Sequence, residues 1–244
     1  MKIKTNFIIL VPTLNEEKNI KRLYFEYKKL PKKLSYHLLF VDDSTNNLTK
    51  LEILKYFKKK CTIISSNKSK SKTSSRFFAF SKGLKYAVKN FNFKYLLDTD
   101  VDLPSMIYNF RLLNDSFLNK KSNVVIFSKY HKNAIIKNRT ISRRILSYII
   151  NFLLKLIYGY DIQDYTSCRA YDYKICKIIA SKKITFITPI GNIEILTFLK
   201  KLKVKINHIP FIYIDIRKGK SSVNFNTFIA CFRDFLKLIK KKII

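Results

Sequence analysis

Residues 7–16, FIILVPTLNE, decide the fold of this chain, because an unbroken apolar run leads directly into proline and polar residues. Residues 7–11 show no polar alternation, which predicts a strand covered on both faces, as in a parallel sheet. Four further apolar runs have the same character: residues 38–41, 62–64, 95–97 and 124–127. These runs predict a sheet whose strands are buried on both sides.

Helix-like segments separate the apolar runs. They cover residues 16–30, 48–57, 75–88 and 105–117. Alternating strands and helices predict an α/β fold with a mostly parallel, Rossmann-like central sheet flanked by helices. A length of 244 residues suits one large domain. We expect this domain over residues 1–222, followed by a C-terminal amphipathic helix over residues 223–244.

The charge balance is strongly basic. Lys and Arg number 49 against 16 Asp and Glu, a net charge of +33, which suggests a polyanionic partner such as nucleic acid, an anionic membrane or a phosphorylated substrate. Abundant Lys, Ile and Asn without Trp are equally what translation of an AT-rich genome gives, so charge alone does not choose a function. A hydrophobic content of 47% excludes a disordered chain.

Polar and acidic residues follow three of the predicted strands. The first strand ends in residues 12–16, the second in Asp42, Asp43 and Ser44, and the fourth in residues 98–102, DTDVD. Ligands of such sheets bind at the carboxyl ends of the strands, so we expect these side chains to converge there. In a chain so poor in acids, this concentration indicates a binding site.

Asp98, Asp100 and Asp102 are alternate residues of an extended segment and can share one side. Carboxylate oxygens are preferred ligands of Mg²⁺ and Mn²⁺, and a bound ion could neutralise a departing phosphate. The alternative is a helix N-cap, since Asp102 precedes Leu-Pro. Asp42 and Asp43 could likewise cap the next helix, and Glu16 could be a first-turn helix acid rather than a nucleoside contact.

The second half has two strongly apolar helix candidates. Residues 141–158 are too short to span a membrane comfortably, so a core helix is the default interpretation, although their apolar breadth also permits contact with lipid tails. Residues 225–244 combine apolar residues at three- and four-residue steps with interleaved Lys and Arg, as in an interfacial helix, although packing on the domain is equally open. Two short strands, split by Pro210, are expected over residues 204–216. Residues 67–76 form a basic loop, either solvated or facing phosphate.

Targeting signals are absent from the sequence pattern. The N-terminus lacks the long apolar stretch and cleavage site of a signal peptide. The sequence has no run of about 18 uncharged apolar residues, so we predict no transmembrane helix. Four cysteines without a C-x-x-C pair or metal-ligand spacing favour reduced thiols in a cytosolic protein. We therefore expect a peripheral protein at the cytoplasmic face of a membrane.

Three motifs resemble glycosyltransferase family 2, whose members have the GT-A fold. They are VPTLNE at 11–16, VDDS at 41–44 and DTDVDLP at 98–104. DYTSCRAY at 164–171 resembles the D-x-T-S-G-F-R motif of the polyprenyl-phosphate sugar synthases, a subgroup typified by dolichol-phosphate mannose synthase. Residues 209–211 and 217–221 resemble the V-P-I…R-x-x-G-x-S segment of the same subgroup.

The resemblance implies roles for individual residues. It implies a nucleotide-sugar site made by Pro12, Leu14, Glu16, Asp42, Asp43, Asp98 and Asp100. It implies a metal site, for Mg²⁺ or Mn²⁺, made by Asp98, Asp100 and Asp102. It implies an acceptor-phosphate site made by Lys129, Arg139, Ser142, Arg143, Arg169 and Arg217. Asp98, Asp100 and Arg217 are the residues on which catalysis is expected to depend.

The expected reaction is an inverting transfer of a hexose, mannose first, from GDP-mannose to dolichyl or polyprenyl phosphate. The acceptor phosphate is already an anionic nucleophile, so positioning and electrostatic stabilisation suffice without a general base. Glu194 could be proposed as a base, but a helix-surface acid is the favoured interpretation. A membrane-anchored partner subunit could assist.

Three alternatives remain open. The donor could be UDP-glucose or another UDP-sugar. The motifs at 166–169 and 217–221 are each one residue shorter than usual, which also permits an inactive homologue that scaffolds a membrane complex. A basic nucleic-acid-binding protein is the third alternative, but nucleic acid is not the expected partner because the chain has no zinc spacing or recognisable binding motif.

Overall fold

A computed structural model of the chain describes residues 2–66, 76–101, 109–186, 188–214 and 225–243. The described strands are β1 Ile3–Lys4, β2 Phe7–Thr13, β3 Tyr36–Asp42, β4 Cys61–Ile64, β5 Phe91–Asn92, β6 Tyr95–Asp98, β7 Val124–Ser128, β8 Ile135–Lys137, β9 Arg169–Asp172, β10 Ile206–Pro210 and β11 Ile212–Ile214. The described helices are α1 Glu17–Tyr27, α2 Leu48–Phe57, α3 Arg76–Asn90, α4 Phe110–Leu118, α5 Ile141–Tyr158, α6 Tyr173–Ser181, α7 Ile190–Lys201 and α8 Phe225–Ile243.

Seven strands form the central sheet in the order β10-β7-β9-β6-β2-β3-β4. All neighbours in it are parallel except β9, which runs antiparallel to both β6 and β7. The predicted α/β class with a mostly parallel sheet is therefore confirmed. Two small parallel pairs, β1 with β5 and β11 with β8, lie outside this sheet.

Each apolar strand contributes to two hydrophobic layers, because successive side chains point to opposite faces. On β2, Ile8 and Leu10 pack with α3, α6 and α7, whereas Phe7, Ile9 and Val11 pack with α1, α2 and α4. A strand covered on both faces cannot alternate apolar and polar residues, which explains the continuous runs in the sequence.

The two predicted C-terminal strands are present as β10 and β11. Pro210 belongs to β10 as its last residue, and the strands are separated at Phe211. Strand β10 lies at the edge of the sheet, where a proline removes no hydrogen bond between strands. The predicted helix at 105–117 is described from Phe110, because residues 102–108 lie outside the described residues.

Helix α5 corrects one expectation. Its bounds match the predicted helix at 141–158, but the default interpretation of a core helix is wrong, because most of its large apolar side chains are exposed. Only Asn151, Leu154 and Tyr158 are buried among its described side chains. The helix therefore lies on the surface of the domain.

Helix α8 is the predicted C-terminal amphipathic helix. It packs beside α7, with Ala230, Asp234 and Leu238 buried, and exposes Ile229 and Phe232. No helix among the described residues is long and apolar enough to cross a membrane. The division at residue 222 stays a prediction, since residues 215–224 lie outside the described part of the chain.

Candidate functional site

The carboxyl ends of β3, β2 and β6 lie side by side at one edge of the sheet. The register pairs Thr13 with Asp42 and Leu10 with Asp98. The Thr99 amide donates to the Leu10 carbonyl at 3.1 Å, so the DTD segment continues along β2. Neighbouring strands lie about 4.8 Å apart and each residue advances about 3.3 Å, so Asp42 and Asp98, two strands apart and three residues offset in register, are about 14 Å apart along the backbone of the sheet edge. The three strand ends therefore share one edge of the sheet, and the binding role of their acids stays a prediction.

The loop after β2 is locked to the loop after β3. Asp42 accepts hydrogen bonds from the hydroxyls of Thr13, at 2.9 Å, and Ser44, at 2.6 Å. Ser44 Oγ in turn accepts the Asn15 amide at 2.8 Å, and Asn15 has a positive φ of 54°. Asparagine tolerates this left-handed conformation better than most residues. The loop therefore holds Pro12 half-buried and Leu14 exposed beside the acids.

The Asp43 carboxylate is bound by Ser66, just after β4. The Ser66 amide and hydroxyl both donate to Asp43, at 2.9 and 2.7 Å. Glu16 accepts a hydrogen bond from the Asn19 side chain at 2.6 Å, and its amide donates to Thr49 Oγ1 at 2.9 Å. These bonds fix both acids at the sheet edge.

The alternative in which Asp42 and Asp43 cap the next helix is not what the structure shows. Helix α2 begins at Leu48, and its N-cap residue is Asn47. Both acids bond within the loops at the sheet edge instead.

Arg76, the first residue of α3, joins the two acids of the DTD segment. Its terminal nitrogens donate to both oxygens of Asp98, at 2.9 and 3.1 Å, while Nε donates to Asp100. Burial raises the pKa of Asp98, whose side chain is 2% exposed, although Arg76 opposes that shift. Burial disfavours the charge of Arg76, but Asp100 and Asp98 outweigh that effect and raise its pKa well above the usual value.

Asp98 and Asp100 already share one cationic group, so their geometry fits a bound cation. A purely oxygen donor set of this kind suits Mg²⁺ or Mn²⁺. Asp102, the third predicted ligand, lies outside the described residues. Within the described ranges, no group of three His, Cys, Asp or Glu side chains could hold a metal ion. Two carboxylates of the predicted metal site are thus placed together.

A buried ion pair links the end of β7 to the 164–171 motif. Lys129 Nζ lies 3.0 Å from Asp164 Oδ2, and the Lys129 amide donates to the same oxygen at 3.1 Å. The other Asp164 oxygen accepts the amide and hydroxyl of Thr166, each at 3.0 Å. Burial disfavours the Asp164 charge, but these donors prevail and lower its pKa below the usual value. The motif therefore closes a turn against the strand that carries Lys129.

Arg169, on β9, lies opposite Asp98 in the sheet register and is 1% exposed. Its guanidinium donates to Asn192 Oδ1 at 2.9 Å and to the Tyr165 carbonyl at 2.6 Å. The bond to Asn192 links β9 to α7, and the bond to Tyr165 links it to the turn that precedes it. The predicted role of Arg169 in binding the acceptor phosphate stays a prediction, and so does that of Lys129.

The remaining acceptor residues are described only in part. Arg139 is half-buried, with its guanidinium 5.5 Å from the centre of the Tyr213 ring. Ser142 and Arg143 belong to the first turn of α5, but their side chains are not described, and Arg217 lies outside the described residues. Their roles stay predictions.

Other titratable groups of the sequence have structural partners. Glu194 accepts the backbone amides of Thr185 and Phe186, at 2.9 and 3.2 Å. His37 bonds to Thr62, and His208 to the Gln163 amide. Burial lowers the pKa of both histidines, which keeps them neutral. None of these contacts is with the acids at the sheet edge.

Sequence reasoning did not identify Arg76 as a partner of the acids. The basic loop at 67–76 was open to a phosphate-facing interpretation, but residues 67–75 lie outside the described residues and Arg76 opens α3. A basic residue placed where a helix starts after a strand of the sheet is the signal that could have indicated it. Ser66 carried no comparable local signal, whereas Asp164 is the first residue of the motif at 164–171.

The comparisons with known proteins agree with this geometry. The family model described as Glycosyl transferase family 2 matches residues 8–177. The structure of glucosyl-3-phosphoglycerate synthase from Mycobacterium tuberculosis with uridine diphosphate superposes with a TM-score of 0.63 at 13% identity, covering 96% of this chain and 79% of that one. No curated protein sequence matches the chain.

The same synthase in complex with Mn²⁺, uridine diphosphate and glucosyl-3-phosphoglycerate gives a TM-score of 0.61 at 13% identity, covering 89% of this chain and 73% of that one. Its complex with Mn²⁺, UDP-glucose and phosphoglyceric acid gives a TM-score of 0.60 at 13% identity, with the same coverage. At these identities the likeness shows the fold alone, and it confirms the predicted GT-A class.

Proposed function

Because the chain belongs to glycosyl transferase family 2, we propose that it transfers a hexose from a nucleotide sugar to the phosphate of a polyprenyl lipid. The observation that carries the proposal is the shared edge of the sheet. Asp98 and Asp100 both bind Arg76 there, at the same edge as the loops that contain Glu16 and Asp43. Three strand ends there carry acids, and Arg76 at the start of α3 pairs with two of them, which supports a site for a nucleotide diphosphate and its cation.

The donor is proposed to be a UDP-sugar, with glucose as the first hexose to test. The similar solved synthase was crystallised with UDP-glucose, which favours the uridine alternative over GDP-mannose. GDP-mannose is the second candidate, supported by the subgroup motifs at 164–171 and 209–221. Asp42 and Asp43 are proposed to contact the nucleoside whichever base it carries, and their hydrogen bonds within the loops do not select the base.

The chain's own residues divide the work between holding the donor and receiving the acceptor. Pro12, Leu14 and Glu16 flank the nucleoside, and Arg76 balances the charge of Asp98 and Asp100. A Mg²⁺ or Mn²⁺ ion held by these two acids, with Asp102, would supply positive charge for the departing diphosphate. The acceptor phosphate is received by the five basic residues and one serine proposed for it: Lys129, Arg139, Ser142, Arg143, Arg169 and Arg217.

The reaction is a single displacement at the anomeric carbon. An oxygen of the acceptor phosphate forms the new bond to that carbon, and the nucleoside diphosphate leaves with the electrons of the broken bond. The acceptor enters opposite the leaving group, which inverts the anomeric configuration. Because the phosphate is anionic near neutral pH, no proton has to be removed. The protein contributes positioning and charge stabilisation.

The setting is proposed to be peripheral, at the cytoplasmic face of a membrane, with or without a membrane-anchored subunit. The strongly basic surface supports it, since each basic residue near an anionic leaflet adds about 1 kcal/mol of attraction. The helices offer exposed apolar surface, and none among the described residues can cross a bilayer.

Labelled donors test the reaction and the donor together. Full-length protein is incubated with Mn²⁺, a polyprenyl phosphate in detergent, and radiolabelled UDP-glucose or GDP-mannose. We expect label in the organic phase with UDP-glucose, and we expect Asp100→Ala to reduce it by at least 100-fold because the cation proposed to neutralise the donor diphosphate loses one of its carboxylate ligands. Transfer from GDP-mannose alone would select the second candidate.

Glu52→Ala is the matched control for Asp100→Ala. Both side chains are about equally exposed, at 30% and 29%, and each pairs with a cation, but Glu52 lies on α2 away from the site. Its activity is expected to equal that of the wild type. Activity that survives Asp100→Ala would refute the assignment, and nucleotide-sugar binding without turnover would indicate the inactive scaffold.

A further inference from the structure

Helix α5 carries an apolar surface that the described part of the chain leaves open. Nine of its large apolar side chains are 39–74% exposed: Ile141, Ile145, Leu146, Tyr148, Ile149, Ile150, Phe152, Leu153 and Leu156. Its buried residues Asn151, Leu154 and Tyr158 follow steps of three and four, so one narrow stripe meets the domain. A monomer in water rarely leaves such a patch open unless it binds a partner.

Polar contacts fix the orientation of this helix on the domain. Tyr130 Oη donates to the Ser147 carbonyl at 2.8 Å. The buried Asn151 side chain donates to the Gln163 carbonyl at 2.9 Å and accepts the Tyr165 amide at 3.0 Å. A buried amide with both groups bonded holds the helix in one rotation. Because these hydrogen bonds fix the buried side of the helix, its apolar surface faces away from the domain.

The charges around α5 identify the kind of partner. Residues 129–160 contain no Asp or Glu but seven basic residues: Lys129, Lys132, Lys137, Arg139, Arg143, Arg144 and Lys155. Lys132, Lys137 and Arg144 are exposed. A second copy of this chain would bring like charges together, whereas an anionic lipid surface offers both the opposite charge and an apolar interior.

We propose that α5 is a docking surface for an anionic membrane. The helix, about 27 Å long at 1.5 Å per residue, lies in the plane of the interface with its apolar side chains among the acyl chains. Arg144 and its basic neighbours remain at the headgroups. The exposed Tyr148 and Tyr160 suit this boundary, because a tyrosine ring has an apolar body and a polar end.

The docked helix lies next to the candidate site. Tyr130, which bonds to α5, follows Lys129, and the α5 residue Asn151 bonds to the loop that contains Asp164. The docking itself rests on exposure and charge. Its consequence, that a lipid acceptor reaches the site directly from the bilayer, rests on the proposed function.

Vesicle sedimentation with the full-length chain tests the docking. Vesicles of 70% phosphatidylcholine and 30% phosphatidylglycerol are compared with phosphatidylcholine alone. We expect at least tenfold tighter binding to the anionic vesicles, and at least a tenfold loss of that binding in the Ile149→Ser, Phe152→Ser double variant. Arg144→Gln, which leaves the apolar surface intact, is expected to lose about fivefold, because one basic residue adds about 1 kcal/mol.

Leu51→Ser, Leu54→Ser is the matched control on α2. Its residues have the same spacing and similar exposure, and α2 packs near β4, at the opposite edge of the sheet from β7 and β10. The control is expected to bind like the wild type. Equal losses in both double variants, or no loss in the α5 variant, would overturn the proposal. A dimer in solution that only the α5 substitutions dissociate would also overturn it, since a second copy would then cover the helix.

The two proposals fail separately. Sugar transfer to acceptor in detergent, with no binding to anionic vesicles, refutes the docking and leaves the reaction in place. Binding to vesicles that Ile149→Ser, Phe152→Ser abolishes, with no transfer from any donor, supports the docking and refutes the reaction.

Discussion

Two buried carboxylates, Asp98 and Asp164, have opposite pKa shifts although each is paired with a cation. Asp164 accepts two backbone amides and a hydroxyl besides Lys129, so its charged form is well solvated by the protein and its pKa is lowered. Asp98 shares Arg76 with Asp100, whose charge adds to the effect of burial, and its pKa is raised. The hydrogen-bonding capacity of Asp164 is therefore filled by its donors. Asp98 and Asp100 share a single cation, Arg76, so these two carboxylates can accept further positive charge.

Lys129→Met tests the Lys129–Asp164 pair, because it leaves Asp164 buried without its cation. Removing one partner of a buried pair costs about 3–5 kcal/mol, so we expect the free energy of unfolding at pH 7 to fall by that order. The deficit should shrink between pH 7 and pH 3.5. The wild type loses the contribution of its low-pKa carboxylate as the pH falls, while the unpaired carboxylate of the variant takes up a proton.

Urea unfolding at both pH values measures this deficit. Lys132→Met, an exposed lysine of the same region, serves as the control and is expected to change the free energy by less than about 0.5 kcal/mol. A deficit of the same size at pH 7 and pH 3.5 would contradict the ion pair as the cause.

Arg76→Gln tests the pairing of Arg76 with Asp98 and Asp100. Without the guanidinium, Asp98 and Asp100 repel each other, so the metal-free variant is expected to melt several degrees below the wild type. Added Mn²⁺ should raise the melting temperature of the variant more than that of the wild type, because the ion no longer competes with Arg76. Thermal unfolding with and without Mn²⁺ gives both values.

Arg111→Gln, an exposed arginine on α4, controls for the loss of one surface charge. Its melting temperature and its response to Mn²⁺ are expected to equal those of the wild type. Equal responses of Arg76→Gln and the wild type would show that Arg76 does not occupy the place of the ion.

At the scale of elements, helices α3 and α7 approach each other where α7 has a glycine. A Cβ on Gly191 would lie 2.5 Å from the Phe186 carbonyl oxygen and closer still to the Phe77 ring. The ring and the backbone are both buried, so neither can move without disturbing the core. The absence of a side chain at Gly191 is therefore a packing requirement.

Gly191→Ala is expected to lower the free energy of unfolding by about 1–2 kcal/mol. Overpacking costs about 1–3 kcal/mol, and the better helix propensity of alanine returns up to about 1 kcal/mol. Chemical denaturation measures the change, with Lys201→Ala, an exposed residue of the same helix, as the control. A more stable Gly191→Ala protein would mean that α7 shifts freely.

The sequence predicted elements whose signal is local, and it missed those that depend on distant partners. Strand β2 and the acids after it were predictable because a strand buried on both faces must be apolar throughout. The four residues of β9, RAYD, are a strand only because they pair between β6 and β7. At the site, Asp98 was identified by its strand end, but its partner Arg76 lies 22 positions earlier, at the far end of helix α3.

Helix α5 shows a different limit. Its bounds were predictable from the apolar run and from Gly159 after it, yet its burial was not. A helix with apolar residues on nearly every side is typical of a core helix and equally typical of a surface helix that binds a lipid or protein surface. Only the position of Asn151 on the domain decided which side is covered.

At the scale of the whole molecule, a net charge of +33 on 244 residues makes self-repulsion a property of the fold. Ion pairs such as Lys129–Asp164 and Arg76–Asp98 leave this excess unchanged, because the 16 acids are already subtracted in it. The folded chain brings its cations closer together than the unfolded chain does. Added salt, which screens the repulsion between these cations, should therefore stabilise the folded state.

Thermal unfolding in increasing NaCl tests this expectation. The Debye length falls from about 20 Å at 20 mM salt to about 6 Å at 300 mM, so repulsion between surface charges is largely screened. We expect the melting temperature to rise by several degrees over this range. A falling melting temperature would show that attractive surface pairs dominate instead.

The antiparallel strand β9 has a consequence for how the polypeptide is made. It enters between β6 and β7 only after the 40 residues that separate it from β7, α5 among them, have left the ribosome. Until then the edges of β6 and β7 that β9 later joins are unpaired in the nascent chain. Fragments cut at Gly159 should accordingly be insoluble when expressed singly and regain structure only when they are produced together.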